Sequence, residues 1–407
     1  MRQWRIQVFG ACWLLYAGYY LCRKNFSVVM PMMTVGTLEL AHLVFAYSLM
    51  YSLGQLVAGN LADRFGGRWI AALGALLSIA VNVGMAYERS YLLLLGLQAM
   101  NGLSQGFGWS AILKLLGSWF RRHERGVVLS WWGTSYVLGG FLATGFATYA
   151  ATSLPLFESL GYRRAFLVPA ILLGCVTAVF WRFTRERELE ESASSQGQEA
   201  MGGWLEVLKL PEVQVISLMY FLLKTTRYSL LYWLPFYLVQ GLGYAKDVAG
   251  YSSSVFELAG ALGPLVAGYS SDRFCGSRRH PVGVVMLLLL AGCFLMHPWL
   301  SRLGTGGVLL SIGLMGVFIY GTDLLMGGAA AMEAVPQHLS ARATGTVNCI
   351  GSMGQLVSSY VVAVFVKYFG WDNLFYFFVG CALAAAGALL ARMAFQKKKK
   401  LALARTA

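Results

Sequence analysis

The residues of this chain that could do chemistry are cations set inside apolar helices, and that chemistry is anion binding. Tyr16, Tyr20 and Arg23 fall at i, i+4 and i+7 within the first long apolar stretch, Ile6 to Met33, so a helix presents them on one face. Tyr220, Lys224 and Arg227 repeat the spacing 204 residues later (16 to 220, 20 to 224, 23 to 227). An arginine at mid-bilayer costs roughly 2.5–3.5 kcal/mol on insertion scales and persists where it faces a polar interior. Guanidinium offers a planar fork that matches phosphate, and a phosphate monoester carries nearly two negative charges near neutrality. Two such faces at equivalent points of two half-chains suggest one anion site between two repeats.

The elements that must position these faces follow from composition. Of 407 residues, 57% are hydrophobic and 12% charged, about half the charge of an ordinary soluble domain. Apolar runs of ~20 residues succeed one another, as in a polytopic helical membrane protein. The expected fold is all-α, with about twelve transmembrane helices in two six-helix bundles. The first six spans are placed at 6–33, 43–61, 69–87, 91–119, 127–150 and 165–181. The last six are placed at 211–239, 247–269, 282–299, 306–332, 341–366 and 373–393. Residues 1–181 and 211–395 thus form the two halves, 182–210 a polar linker and 396–407 a basic tail.

The net charge of +14 sits in short inter-span loops, which excludes a basic nucleic-acid-binding domain. Seven cysteines are scattered singly and five histidines lack ligand spacing, so neither a metal nor a cofactor is expected. No Walker sequence is present, which argues against ATP drive. The first apolar run is too long for a cleavable leader and carries Arg23-Lys24. Arg2, Arg5, Arg64, Arg68, Arg121, Arg122, Arg125, Arg182, Arg273, Arg278, Arg279, Arg342 and Lys397–Lys400 collect on one side. The positive-inside rule then puts both termini and the linker in the cytoplasm.

The loops repeat as well. Gly59-Asn60-Leu61-Ala62-Asp63-Arg64-Phe65-Gly66-Gly67-Arg68 follows the second span, and Gly268-Tyr269-Ser270-Ser271-Asp272-Arg273-Phe274 the eighth. Asp63, Arg64, Arg68, Asp272 and Arg273 are expected to cap helix ends and latch the cytoplasmic side, as gating loops. The pattern resembles the loop motif of the major facilitator superfamily. Within it, the chain resembles the organophosphate:phosphate antiporters, through Tyr19-Tyr20-Leu21-Cys22-Arg23-Lys24-Asn25-Phe26, Met30-Pro31, Asn101-Gly102, Gln105-Gly106-Phe107-Gly108-Trp109, Trp119-Phe120, Glu124-Arg125-Gly126, Arg227-Tyr228, Trp233, Pro235, Tyr237 and Gly370-Trp371-Asp372. The resemblance implies two six-helix bundles, alternating access and no enzyme activity. It further implies phosphate held by Arg23 and Arg227 in a cavity lined by Tyr16 and Tyr20.

The chain departs from that pattern at Gln55, where bacterial members have lysine, at Ser135, where they have histidine, and at Lys224, an added cation. All three, with Tyr220, are candidate substrate contacts. Asp323 and Glu257 are mid-span carboxylates, read as coupling residues or static charge partners. Their static partners could be Lys224, Arg227 or a neighbouring helix, and Asp323 is weighed first against Lys224. Lys24 is placed off the Arg23 face, Lys114 snorkels toward the cytoplasm, and Glu333 is a loop contact.

The resulting expectation is exchange of an organic phosphate ester (a sugar phosphate, glycerol 3-phosphate or phosphoglycerate) for inorganic phosphate by a monomer in a bacterial inner membrane. A proton-coupled organic-anion carrier and a transporter-like sugar-phosphate sensor remain open. The orientation is testable: a cysteine placed at Ser195, in a variant lacking other accessible thiols, should react with an impermeant reagent only from the cytoplasmic side. Labelling from outside would overturn the assignment.

Overall fold

The computed structural model describes residues 2–120, 124–186, 207–276, 278–335 and 339–406. Ser195, most of the expected linker, and Arg121 and Arg122 lie outside the described residues. The chain divides into two compact units, Met1–Gln198 with Tyr232–Glu257, and Glu199–Leu231 with Leu258–Ala407.

The first unit contains α1 (Arg2–Val29), α2 (Thr37–Phe65), α3 (Gly67–Tyr87), α4 (Tyr91–Trp119), α5 (Arg125–Thr152) and α6 (Arg164–Phe183). Then come α7 (Pro211–Gln240), α8 (Lys246–Gly260), α9 (Gly263–Phe274), α10 (Arg279–Leu300), α11 (Thr305–Leu324), α12 (Ser340–Tyr368) and α13 (Trp371–Thr406). Among the described residues there is no strand. Helix ends follow local chemistry. Pro31, which lacks an N–H, lies in the 3₁₀ turn Met30–Met32 after α1. Gly66 closes α2 at φ +90°, with its N–H donating to the Ala62 carbonyl at 2.8 Å.

Three boundaries differ from the periodicity reading. The eighth span is two helices, α8 and α9, because Gly260, Gly263 and Pro264 interrupt hydrogen bonding between them. The tenth leaves the α register at Leu324 and runs as a π-helix over Leu325–Ala330, with a last α turn at Ala331–Glu333. The basic run Lys397–Lys400 continues α13 rather than forming an irregular tail; from Ala388 to Thr406 the chain contains neither glycine nor proline.

Among the described residues, seven helices, α2, α3, α6 and α10–α13, are long and apolar enough to cross a membrane. The remaining long stretches carry the polar residues of the interior: Arg23 and Lys24 in α1, Asn101 and Gln105 in α4, Thr144 and Thr148 in α5, Lys224 and Arg227 in α7, and Glu257 in α8. Mean apolarity falls where side chains face inward.

In the first unit, α1 runs through the centre, its Tyr16 and Tyr19 packed among α3, α4 and α5. Helices α2 and α4 meet backbone to backbone. A Cβ at Gly102 would lie 2.1 Å from the Tyr47 carbonyl oxygen, and one at Gly54 would lie 2.4 Å from that of Leu103. Small residues permit this close approach where apolar lipid provides no hydrophobic drive for helix association. In the second unit, Phe294, Phe375 and Phe378 form an aromatic core at centroid separations of 5.4–6.4 Å. Buried His297 shares a hydrogen bond of 2.8 Å with the Ser311 hydroxyl. Gly102→Val should force α2 and α4 apart and destabilise the protein by about 1–3 kcal/mol or more, read as a fall in melting temperature in detergent. An unchanged melting temperature would contradict the close seam.

Candidate substrate-binding site

Arg23 is the centre of the first unit's polar interior. Its guanidinium carbon lies 4.5 Å from the ring centroid of Tyr20 and 4.8 Å from that of Tyr51. Nε donates to Gln105 Oε1 at 3.2 Å. Nη2 is buried without a hydrogen-bond partner, and among the described residues no carboxylate pairs with this side chain.

A chain of amides fixes Gln105. Its Nε2 donates to the Tyr19 carbonyl at 3.0 Å and to Ser78 Oγ at 2.9 Å. Ser78 Oγ donates to Asn101 Oδ1 at 2.9 Å, and Asn101 Nδ2 donates back to the Cys22 carbonyl at 2.9 Å. Asn25 Nδ2 donates to Asn82 Oδ1 at 2.7 Å, and Asn82 Nδ2 reaches Asn101 Oδ1 at 3.2 Å. Satisfied buried networks of this kind rigidify what they hold.

The other candidates of this unit stand around that centre. Tyr16 packs on Trp132 at 4.8 Å and edge-on to Tyr20 at 5.9 Å, so it supports the ring that covers Arg23. Gln55 donates to the Tyr51 hydroxyl at 2.9 Å and thus approaches Arg23 through Tyr51. Ser135 is fully buried, and its Oγ makes no hydrogen bond.

In the second unit the repeated face has a different partner. Arg227 Nη1 is 2.5 Å from Asp323 Oδ2, and its guanidinium carbon lies 4.4 Å from the Tyr320 centroid. Lys224 Nζ is 4.7 Å from the Tyr220 centroid and 3.5 Å from Asn348 Oδ1. Of the partners open to Asp323 in the sequence, it pairs with Arg227 rather than with Lys224. The Lys224 ammonium stands over the Tyr220 ring, while Tyr320 and Asp323, three residues apart on α11, bracket the guanidinium.

Lys24 and Glu257, singled out separately in the sequence, are partners: Nζ and Oε1 are 3.3 Å apart, with side chains 5% and 3% exposed. Thr144 Oγ1 donates to Glu257 Oε2 at 3.1 Å, and Gly140 leaves the notch that the carboxylate occupies. Nearby, Ser27 Oγ donates to the Tyr232 carbonyl at 2.7 Å. The stretch Tyr232–Glu257 is thereby bound to α1 and α5 within the first unit.

The Major Facilitator Superfamily profile matches residues 12–322 and 216–406. The chain belongs to the Major Facilitator Superfamily. Its fold is the all-α, twelve-span membrane fold of that superfamily, a transporter architecture and not an enzyme's. A solved structure of a bacterial homologue of the human lysosomal transporter Spinster superposes with a TM-score of 0.80, at 14% identity over 98% of both chains. Among curated proteins, the chain is 28% identical to Membrane sensor protein UhpC of Salmonella typhimurium, over 97% of this chain and 92% of the relative. It is 27% identical to the Glycerol-3-phosphate transporter of Bacillus subtilis, over 94% and 90%. It is also 27% identical to a Probable hexose phosphate transport protein of Chlamydia pneumoniae, over 94% and 90%.

The superfamily loops are latched differently in the two halves. Asp63 accepts from Lys114 Nζ at 2.9 Å, and that ammonium also reaches the Ala62 carbonyl at 2.7 Å. Lys114 is thus a loop clamp and not a free snorkelling cation. Arg68 donates to the Trp181 carbonyl at 2.6 Å and stacks on its ring at 3.9 Å. Glu186 accepts from the Gly67 and Arg68 N–H groups at 2.7 and 3.1 Å, which caps α3. In the second half, Arg279 joins Asp272 at 2.9 Å to Glu333 at 3.2 Å. Arg64 and Arg273 are exposed.

Sequence reasoning missed Tyr51, Gln105, Tyr320 and Asn348. Tyr51 stands four residues before Gln55 and Tyr320 three before Asp323, so helical spacing from residues already singled out would have found both. Glu257→Ala should strip Lys24 of its carboxylate partner and cost about 3–5 kcal/mol. Combining it with Lys24→Met should restore at least half of the lost melting temperature; strictly additive losses would mean that the two residues do not act as a pair.

Proposed function

We propose that this protein is a secondary transporter that exchanges an organic phosphate ester for inorganic phosphate by alternating access. The observation that carries the reading is Arg23, a buried guanidinium under two tyrosine rings whose Nη2 lacks a protein acceptor. Such a group is stable in a membrane interior only if an anion answers it. Charge supports the same class. Among the described residues, the mid-span cations Arg23, Lys24, Lys224 and Arg227 face the carboxylates Glu257 and Asp323. Two positive charges are left over, the complement of a phosphate monoester dianion.

The relatives support it too, since their names specify glycerol-3-phosphate and hexose phosphate transport. The 204-residue repeat and these relatives support a common role for Arg23 and Arg227, both engaging the phosphate of one substrate. Tyr20, Tyr51 and Tyr320 would exclude water around it. Gln105 would set the Arg23 rotamer, and Gln55 and Ser135 would act at the margin of the site. The bacterial relatives and the basic loops support an inner-membrane location with both termini cytoplasmic. Exchange follows if the emptied interior, with its cations unanswered, resists closure until another anion enters.

Two alternatives have an observation in their favour. Similarity to Membrane sensor protein UhpC favours a sensor that binds a sugar phosphate without moving it. The buried Asp323 favours a proton-coupled carrier. Proteoliposomes loaded with inorganic phosphate separate the three. Exchange requires internal phosphate, symport requires an imposed pH gradient, and a sensor binds without uptake. Arg23→Lys and Arg227→Lys should each abolish most exchange, by about tenfold or more, while the protein still inserts. Lysine keeps the charge but loses the fork. Near-normal exchange by both variants would sink the two-arginine site.

A further inference from the structure

The two repeated arginines are answered by unlike groups. Arg23 meets a neutral amide, Gln105 Oε1, and two rings. Arg227 meets a carboxylate at 2.5 Å, and both side chains of that pair are 11% exposed. We propose that Asp323 is a built-in competitor of the substrate phosphate for Arg227, and that it passes to Lys224 when substrate binds. This inference rests on the reading of the site as one for phosphate esters.

A carboxylate and a phosphate present their oxygens to a guanidinium with the same geometry. The Nη1 donor that holds Asp323 Oδ2 is one that a phosphate would use, so the two anions compete for it. Among the described residues, Arg23 carries no such occupant. The displaced carboxylate cannot stay unpaired in a buried setting, because stranding one charge of such a pair is strongly unfavourable. Lys224 is the acceptor at hand. It lies three residues before Arg227 on α7, one helical turn away. Its ammonium meets the Asn348 amide oxygen at 3.5 Å and the Tyr220 ring. Tyr320 stacks on Arg227 from the same helix as Asp323 and does not depend on the ion pair, so the guanidinium keeps its orientation during the exchange of partners.

Two properties follow. Affinity is lower than the two arginines alone would give, and release is correspondingly faster, because Asp323 returns to Arg227 as the phosphate leaves. Selectivity is narrowed as well. With Lys224 answered by Asp323, no cation remains for a second acid group, and the site takes phosphate esters of neutral alcohols.

The test uses the full-length protein in nanodiscs, with glycerol 3-phosphate, glucose 6-phosphate, 3-phosphoglycerate and inorganic phosphate as calorimetric probes. Asp323→Asn should bind the phosphate esters that the wild type binds about tenfold more tightly, the gain expected from freeing one charged hydrogen-bonding site. Exchange in proteoliposomes should slow, and 3-phosphoglycerate should gain more than glycerol 3-phosphate. The gain should vanish when Arg227→Gln is also present. Asp323→Ser removes the charge in a smaller side chain and is the second variant. Equal or weaker binding by both folded variants, with normal wild-type binding and exchange, would overturn the competitor role alone. So would loss of folding in both, since the carboxylate would then serve the fold. A wild type that binds none of the probes would overturn the phosphate-ester reading itself, and the inference with it.

Discussion

A positive charge in the interior of a membrane protein has to be answered within a few ångströms, because no water is there to do it. Much of the interior described above depends on that requirement. Lys24 is answered by Glu257, Arg227 by Asp323, Lys224 by an aromatic face and an amide oxygen, and Arg23 by rings and an amide alone. The four solutions are not equivalent. A lysine–glutamate pair with both side chains under a tenth exposed is self-contained, so the helices that carry it are joined by it. A guanidinium given only π-faces and one amide oxygen is oriented but not neutralised. The same residue types thus yield fastening at one position and reception at another.

The reception position is also the best supported. The amide chain from Asn25 through Asn82, Asn101 and Ser78 to Gln105 ties α1, α3 and α4 together by hydrogen bonds of 2.7–3.2 Å. It contains no ionisable group. The charge of Arg23 is therefore held in place without being cancelled, which a carboxylate at position 105 could not achieve. The glycine seam between α2 and α4 serves the same end. It brings Tyr51 of α2 close enough to α4 and α1 to cover the guanidinium.

How much of this was legible in the sequence follows from the range of each interaction. The helices, the internal repeat and both cationic faces were readable because each is a matter of periodicity within one segment. Tyr16, Tyr20 and Arg23 share a face as their spacing requires. Pairing between segments was not readable. Nothing local says that Lys24 meets Glu257, or that Asp323 prefers Arg227 to Lys224, because those choices depend on how helices whose paired residues lie 96 or more positions apart are stacked. Gln55 and Ser135 were chosen by comparison with a family pattern; Gln55 reaches Arg23 only through Tyr51, and no contact ties Ser135 to it among the described residues. Lys114 looked like a lone cation near a membrane surface only because its partner Asp63 stands 51 positions earlier. The break between α8 and α9 was visible in Gly260, Gly263 and Pro264, but apolar content outweighed it in a reading by hydropathy.

The π-helical stretch Leu325–Ala330 bears on the symmetry of the molecule. Its counterpart in the first half, α4, is α-helical from Tyr91 to Trp119 without interruption. A π turn closes i→i+5 bonds and holds one residue more than an α turn, so it shifts the angular bookkeeping of everything after it. Residues of α11 up to Asp323 can be matched to α4 by counting; those beyond, including Glu333, cannot. The halves of this chain repeat one another in residue spacing, yet from that point onward the tenth span has a phase of its own. The ion pair between Glu333 and Arg279 lies beyond that shift, on the phase the π turns set.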